Sequence, residues 1–242
     1  MAEGRAQIGL WQSLASPYSA EICATCGFDW LLFDGEHAPN DIPLLLAQLQ
    51  AVNGSPIHAI ARLPYGETRV IKQYLDLGFK TLLIPLVETA AQTAELVRAT
   101  RYAPEGIRGM AGTRSSNWGR VAGWTTDSNR EICLLVQVET RLGLENLDAI
   151  AATPGVDGVF IGPADLSADL GYPGQQTHLE VLTAIEGAIA RIRAAGKAPG
   201  ILTADQALAK HYLELGCLFV AVGTDIGVLI QGATSLARGF KA

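Results

Sequence analysis

The chain has 242 residues, carries a formal net charge of −6 and is 49% apolar. That length suits one α/β barrel, and the apolar fraction allows a large core without disulfides. The acidic balance, with no run of Lys or Arg, argues against nucleic acid or an anionic membrane surface as the main partner. In chain order, Ile8–Ser13 reads as a first strand and Pro17–Cys26 as a helix stopping at Gly27. Phe28–Phe33 is a second strand closed by D-G-E-H, and a helix over about Ile42–Val52 takes Asn40 or Asp41 as its cap. Ile57–Leu63 is a third strand with Arg62 near its end, followed by a helix over Thr68–Leu77 that stops at Gly78. Lys80–Leu86 is a fourth strand, and Thr89 caps a helix reaching Arg101.

Tyr102–Asn129 then reads as one irregular stretch rich in Gly, Arg, Ser and Trp, and loops that long inside compact domains are usually functional. Ile132–Val138 is a fifth strand with a helix near Gly143–Ala151 behind it. Gly158–Ile161 is a sixth strand, followed by a short helix after Gly162 and a longer one over Leu179–Ala195. Ala198–Leu202 and Leu218–Val222 are the seventh and eighth strands, with helices over Ala204–Leu215 and about Asp225–Arg238. Strands alternating with helices in this way predict parallel βαβ units, and eight of them at this length predict a single (β/α)8 (TIM) barrel over residues 1–242. No G-x-G-x-x-G opens a helix after the first strand and no G-x-x-x-x-G-K-[ST] occurs, so nucleotide-binding readings lose their main support.

A barrel carries its chemistry at the carboxyl ends of its strands. On that rim fall Trp11, then Asp34, Glu36 and His37, then Arg62, Gln137, Glu139 and Asp165. Glu139 closes the fifth strand, and Asp165 follows the sixth by a Gly162-Pro163-Ala164 turn. Two carboxylates with little other ligation suit a hard divalent ion such as Mg²⁺ or Mn²⁺, which keeps positions open for water and an oxygen-rich substrate. The bland alternative makes Asp165 a helix cap and Glu139 half of a surface ion pair. His37 is the general-base candidate, because His58 lies within a strand and His178 and His211 fall at a helix start and on a helix face. Arg62 offers a fixed positive charge to an oxyanion, against the plainer role of ion pair to Asp34 or Glu36. Free N–H groups at the helix start after Gly162 offer a seat for a substrate carboxylate.

Cys23 and Cys26 form C-x-x-C, but no second pair is near enough for a Cys₄ zinc site, and two small residues packing on a helix face is the favoured reading. The opening M-A-E-G-R-A-Q-I-G-L has no signal-peptide core and no apolar run is long enough to span a bilayer, so a cytoplasmic protein is expected.

F-D-W-L-L-F-D-G-E-H-A-P-N, A-R-L-P, L-L-V-Q-V-E-T, G-V-F-I-G-P-A-D-L-S-A-D-L-G and A-P-G-I-L together resemble the HpcH/HpaI aldolases, class II metal-dependent pyruvate aldolases with a (β/α)8 fold. The resemblance runs over nearly the whole chain and comes nearest to 4-hydroxy-2-oxoheptane-1,7-dioate aldolase, an activity of aromatic catabolism. It implies Glu139 and Asp165 as ligands of a divalent metal, with Co²⁺ or Zn²⁺ as further candidates beside Mg²⁺ and Mn²⁺. It implies His37 as base, with Asp34 among the catalytic residues, Arg62 as transition-state stabiliser and Asp76 as an aspartate raising the basicity of the histidine. Gln137, Ala164, Asp165, Trp11, Gly162 and Pro163 would hold substrate, and Leu202 would shape the aldehyde pocket. Asp76 ends a helix and so belongs at the opposite rim from His37, so either a neighbouring subunit supplies it or the role does not carry over. A carboxylate at a helix C-terminus also needs a compensating partner.

The implied reaction is reversible cleavage of a 4-hydroxy-2-oxo acid to pyruvate and an aldehyde such as succinic semialdehyde. The implied assembly is a hexamer, a trimer of dimers that exchange their last helices. Alternatives are an aldolase of the 5-keto-4-deoxy-glucarate type, an acyl-CoA lyase on the same metal–pyruvate core, and a non-catalytic pyruvate- or oxalate-binding barrel. A CoA substrate would need a basic groove that no Lys/Arg cluster supplies, and binding alone needs no base.

Overall fold

The structure, a computed structural model, describes residues 4–241, so the first three residues of the opening segment lie outside it. Its strands are β1 (Gln7–Gln12), β2 (Trp30–Asp34), β3 (His58–Arg62), β4 (Thr81–Ile84), β5 (Cys133–Val138), β6 (Gly158–Ile161), β7 (Ala198–Leu202) and β8 (Phe219–Thr224). All neighbours pair parallel and β8 returns to β1, closing an eight-stranded barrel. Between them run α1 (Pro17–Ala24), α2 (Ile42–Ala51), α3 (Thr68–Leu77), α4 (Ala90–Thr100), a four-residue α5 (Trp124–Asp127), α6 (Arg141–Glu145), α7 (Leu147–Ala152), α8 (Pro163–Asp169), α9 (Leu179–Ala194), α10 (Gln206–Glu214) and the final α11 (Asp225–Arg238). This is the (β/α)8 barrel that the alternation predicts. No helix among the described residues is long and apolar enough to cross a membrane.

Alternate strand residues serve two cores. Trp11, Trp30, Leu32, Ile60, Leu83, Leu135, Phe160 and Phe219 fill the barrel interior. Leu31, Phe33, Ala61, Leu82, Leu134, Val136, Val159, Ile161 and Val220 face outward and are buried under the helices. Strands covered on both faces read as unbroken apolar runs, which is why they were legible. The Trp30 ring lies flat over Gly9, where a Cβ would come within 2.1 Å of it, so the large interior rings depend on this close approach.

Some boundaries differ from the sequence reading, each for a local reason. The helix expected over 143–151 is two helices, because Asn146 leaves helical geometry and its side-chain amide donates to Glu88 O at 2.8 Å. The first helix ends at Ala24, where Thr25 bonds back to Ile22 O at 2.8 Å, and so Cys26 falls outside it. The stretch after α4 holds α5 and two 3₁₀ turns, pinned where Asn129 Oδ1 accepts from Tyr102 N at 2.7 Å. Asp41, not Asn40, caps α2, accepting from Leu44 N at 2.8 Å.

Candidate active site

The carboxyl rim gathers its charged groups in two linked sets. Asp34 ends β2 and Arg62 ends β3, and the two residues are register partners. Asp34 Oδ1 accepts from Arg62 Nε at 2.9 Å and Oδ2 from Nη2 at 2.6 Å. Trp11 Nε1 donates to the same carboxylate at 3.1 Å, and the Glu36 N–H reaches it at 2.9 Å. The Arg62 guanidinium also lies 4.9 Å from the Trp11 ring centre. Burial alone would raise the Asp34 carboxyl, but the hydrogen bonds and charge of Arg62, with the Glu36 N–H and Trp11, hold it below its ordinary value.

The remaining nitrogen of Arg62, Nη1, lies 2.8 Å from Glu36 Oε2. Arg62 thus pairs with both Asp34 and Glu36, which the sequence offered as alternatives. Burial pushes the Glu36 carboxyl up, against the pull of Arg62 and His37 and with a further push from Asp34 and Asp165. The His37 side chain is 67% exposed, with Nε2 4.0 Å from Glu36 Oε2.

The second set is built on β5 and on the turn after β6. Glu139 is 2% exposed and Gln137 3%. Glu139 Oε1 accepts the Leu86 N–H at 2.9 Å, and Oε2 accepts from Gln137 Nε2. Gln137 Oε1 is buried with no partner. A Cβ on Gly162 would sit 2.3 Å from Glu139 Oε2, so the carboxylate occupies space that only a glycine leaves free. Burial pushes the Glu139 carboxyl up to about 7, against hydrogen bonds from Gln137 and the Leu86 N–H, and the charges of Asp165 and Glu36 push the same way. The exposed Asp165 lies in the first turn of α8, and Pro163 opens that helix with Gly162 as its cap. The bland alternatives therefore fail on geometry: Asp165 caps no helix, and Glu139 is buried without a cationic partner. A buried carboxylate facing two others and no base is a donor set that a hard dication would neutralise. Among the described residues, no three His, Cys, Asp or Glu side chains converge as a fuller metal cage.

The other sequence candidates are placed as follows. Leu202 ends β7 half-buried against the barrel interior. Asp76 lies near the end of α3, and its carboxylate accepts from Arg108 Nη2 at 3.0 Å. Arg108 is the partner that a carboxylate at a helix end needs, and it lies 4.4 Å from the Tyr102 ring centre. Within one chain Asp76 is not brought to His37. His58 bonds Thr81 Oγ1 at 2.6 Å inside the amino end of the barrel, and His211 pairs with Glu186 at 2.9 Å. A cavity of about 920 Å³ at that amino end, lined by Trp30, His58, Cys133 and Phe219, lies away from the rim where the carboxylates gather. Cys23, Cys26, Cys133 and Cys217 are free.

Sequence reasoning missed the braces. Asn40 Nδ2 donates to Asp34 O at 2.7 Å and Asn40 Oδ1 accepts from Gln48 Nε2 at 2.6 Å, which holds the loop that carries His37. The available signal was Gln48 itself, a polar residue among Leu45 and Leu49 on the buried face of α2. The Leu86 backbone contact had no sequence signal.

The HpcH/HpaI aldolase/citrate lyase family model matches residues 7–232. The chain belongs to this family. A hydroxypyruvate/pyruvate aldolase of Deinococcus radiodurans is 60% identical, over 100% of this chain and 88% of the relative. A 4-hydroxy-2-oxo-heptane-1,7-dioate aldolase of Salmonella dublin is 54% identical, over 99% of this chain and 92% of the relative. A crystal structure of a family member from Burkholderia cenocepacia superposes with a TM-score of 0.96 at 37% identity, covering 99% of this chain and 96% of that one. The family and these aldolases make the chain a carbon–carbon lyase that performs aldol cleavage.

The burial of Glu139 gives chelator-treated protein a pH-dependent stability. A folded-state value of about 7 against an ordinary 4.5 means that folded Glu139 keeps its proton to higher pH than unfolded Glu139. Its contribution is fully present below the unfolded value and is lost as pH rises through about 7, a change on the order of 3 kcal/mol. Melting of chelator-treated protein should therefore fall in temperature between pH 5 and about 7.5. Glu139→Gln should flatten that slope, and an unchanged slope in the variant would exclude Glu139 as its source.

Proposed function

We propose that this aldolase cleaves 4-hydroxy-2-oxo acids reversibly to a 2-oxo acid and an aldehyde, using a divalent cation, Mg²⁺ or Mn²⁺, held by Glu139 and Asp165. The 2-oxo acid is pyruvate, and the name of one similar protein extends it to hydroxypyruvate. The observation that carries the reading is the buried Glu139 carboxylate with no cation of its own, beside Gln137, Asp165 and Glu36. When bound, the cation supplies Lewis acidity toward the keto oxygen.

The chain's own residues do the rest. The N–H groups of Ala164 and Asp165 precede the first intrahelical bond of α8, from Leu166 N to Gly162 O, and are free to take the substrate carboxylate. The unpartnered Gln137 Oε1 accepts from a protonated substrate group, while Nε2 stays on Glu139. Asp34 clamps Arg62 through Nε and Nη2 and Glu36 lies 2.8 Å from Nη1, and the guanidinium held between them offers its positive charge to negative charge developing on the keto oxygen. His37 takes the C4 hydroxyl proton as the C3–C4 bond breaks, and Glu36 lies beside the imidazolium that results. Trp11 and Leu202 wall the aldehyde side.

Among the described residues no lysine is found on a strand end or loop of this rim, and Lys241 follows α11. Lys72 and Lys210 are on outer helices, and Lys80 and Lys197 line the cavity at the amino end. Cleavage coupled to lactate dehydrogenase should therefore stop with EDTA and return with Mn²⁺ or Mg²⁺, and borohydride with pyruvate should trap nothing. EDTA-resistant cleavage together with a trapped adduct would exclude the reading.

The assembly is proposed as a homo-oligomer, a hexamer built as a trimer of dimers that exchange α11. Val228, Leu229, Ile230 and Leu236 on α11 are 59–67% exposed, and Phe240 just beyond is 86% exposed, so the chain's own barrel does not cover this face. A neighbouring chain would also give Asp76 a route to His37. Mixing His37→Ala with Asp76→Ala protein should restore partial activity after subunit exchange. A fully active monomer in analytical ultracentrifugation would rule out both the exchange and the shared site. The free cysteines fit a reducing compartment, the cytoplasm.

A further inference from the structure

We propose that the turn at Leu86, clamped by Gln92, is a positioning device that sets Glu139 for cation binding; the inference rests on Glu139 being a metal ligand. Leu86 has φ +53, a left-handed conformation that a leucine populates about tenfold less readily than a glycine. Its side chain is 52% exposed, so core packing does not repay this strain. What the conformation achieves is polar. It aims the Leu86 N–H at Glu139 Oε1, 2.9 Å away, while Gln137 covers Oε2. Each carboxylate oxygen then carries one donor, which fixes the rotation of the group and leaves a lone pair on each oxygen for a cation. Backbone outliers that persist at a site do so because their surroundings over-determine them.

Asn146 Nδ2 and Thr140 Oγ1 hold Glu88 just beyond the turn, each at 2.8 Å, but the side chain that bonds Leu86 itself is Gln92. Gln92, in the first turn of α4, donates from Nε2 to Leu86 O at 3.1 Å and accepts from Glu88 N at 2.9 Å. It grips the turn on both sides of Val87, whose N–H bonds Gln137 O at 3.0 Å. Gln92 itself is anchored where its backbone N–H meets the Thr89 cap at 3.1 Å. Gln92 touches neither carboxylate, so it acts through Leu86. Released from Gln92, Leu86 would relax out of the left-handed region and withdraw its N–H from Glu139. A glycine at position 86 would stay there without the clamp.

The test is calorimetric titration of the chelator-treated full-length protein with Mn²⁺. Gln92→Ala should weaken Mn²⁺ binding about fivefold to tenfold, with near-wild-type kcat once Mn²⁺ saturates. In a Leu86→Gly background the same Gln92→Ala change should cost less than about twofold, because the strain that the clamp opposes is gone. Wild-type Mn²⁺ affinity in Gln92→Ala, or an equal loss in both backgrounds, would overturn the positioning role. Glu139→Gln is the separate arm: wild-type Mn²⁺ binding in that variant would instead overturn the ligand assignment on which the inference stands.

Discussion

Glu139→Gln is expected to abolish cation-dependent cleavage while leaving the fold intact or firmer. The carboxylate is 2% exposed and is pushed up to about 7, so the chain spends stability to keep a charge there. Glutamine keeps the shape and removes the charge, and with it the main attraction for a dication. Lewis-acid stabilisation is worth several kcal/mol, so the loss in kcat should be about 10³-fold or more. The same variant should melt no lower than the chelator-treated wild type at pH 7.5. Asp165→Asn should show the same loss of activity with less change in stability, because Asp165 is exposed. Unchanged calorimetric Mn²⁺ binding in both variants would remove them as ligands.

His37→Ala should lower the rate of cleavage by about 10²–10⁴-fold, the usual consequence of losing a general base. Its side chain is 67% exposed and carries no structural hydrogen bond, so neither folding nor cation affinity should move. The exposure bears on mechanism. A base this open to water is well placed for proton exchange but poorly screened. Near-wild-type kcat in His37→Ala would transfer the proton step to another group, with Glu36 next in line because it lies between His37 and Arg62.

The sequence by itself determined the barrel and the membership of its rim. Strand runs such as Gly158–Ile161 and Ala198–Leu202 matched to the residue, because strands buried on both faces are apolar throughout and end where the polar rim begins. The order of residues along the chain then placed Trp11, Asp34, Arg62, Gln137 and Glu139 at one end of the barrel, since a parallel barrel puts the carboxyl ends of its strands together.

Only the tertiary structure decided which of these groups touch. Whether Arg62 meets Asp34 or Glu36 depends on the β2–β3 register and on the loop braced by Asn40, and it meets both. The burial that raises Glu139 is a property of closed neighbours, Gln137, Gly162 and the Leu86 turn, which are distant in sequence or act through the backbone. The pairing of Asp76 with Arg108 and the open apolar face of α11 have the same origin. Local periodicity reports which side of an element is apolar, but what covers that side is settled by chain closure over long range, and on α11 the chain's own barrel leaves it open.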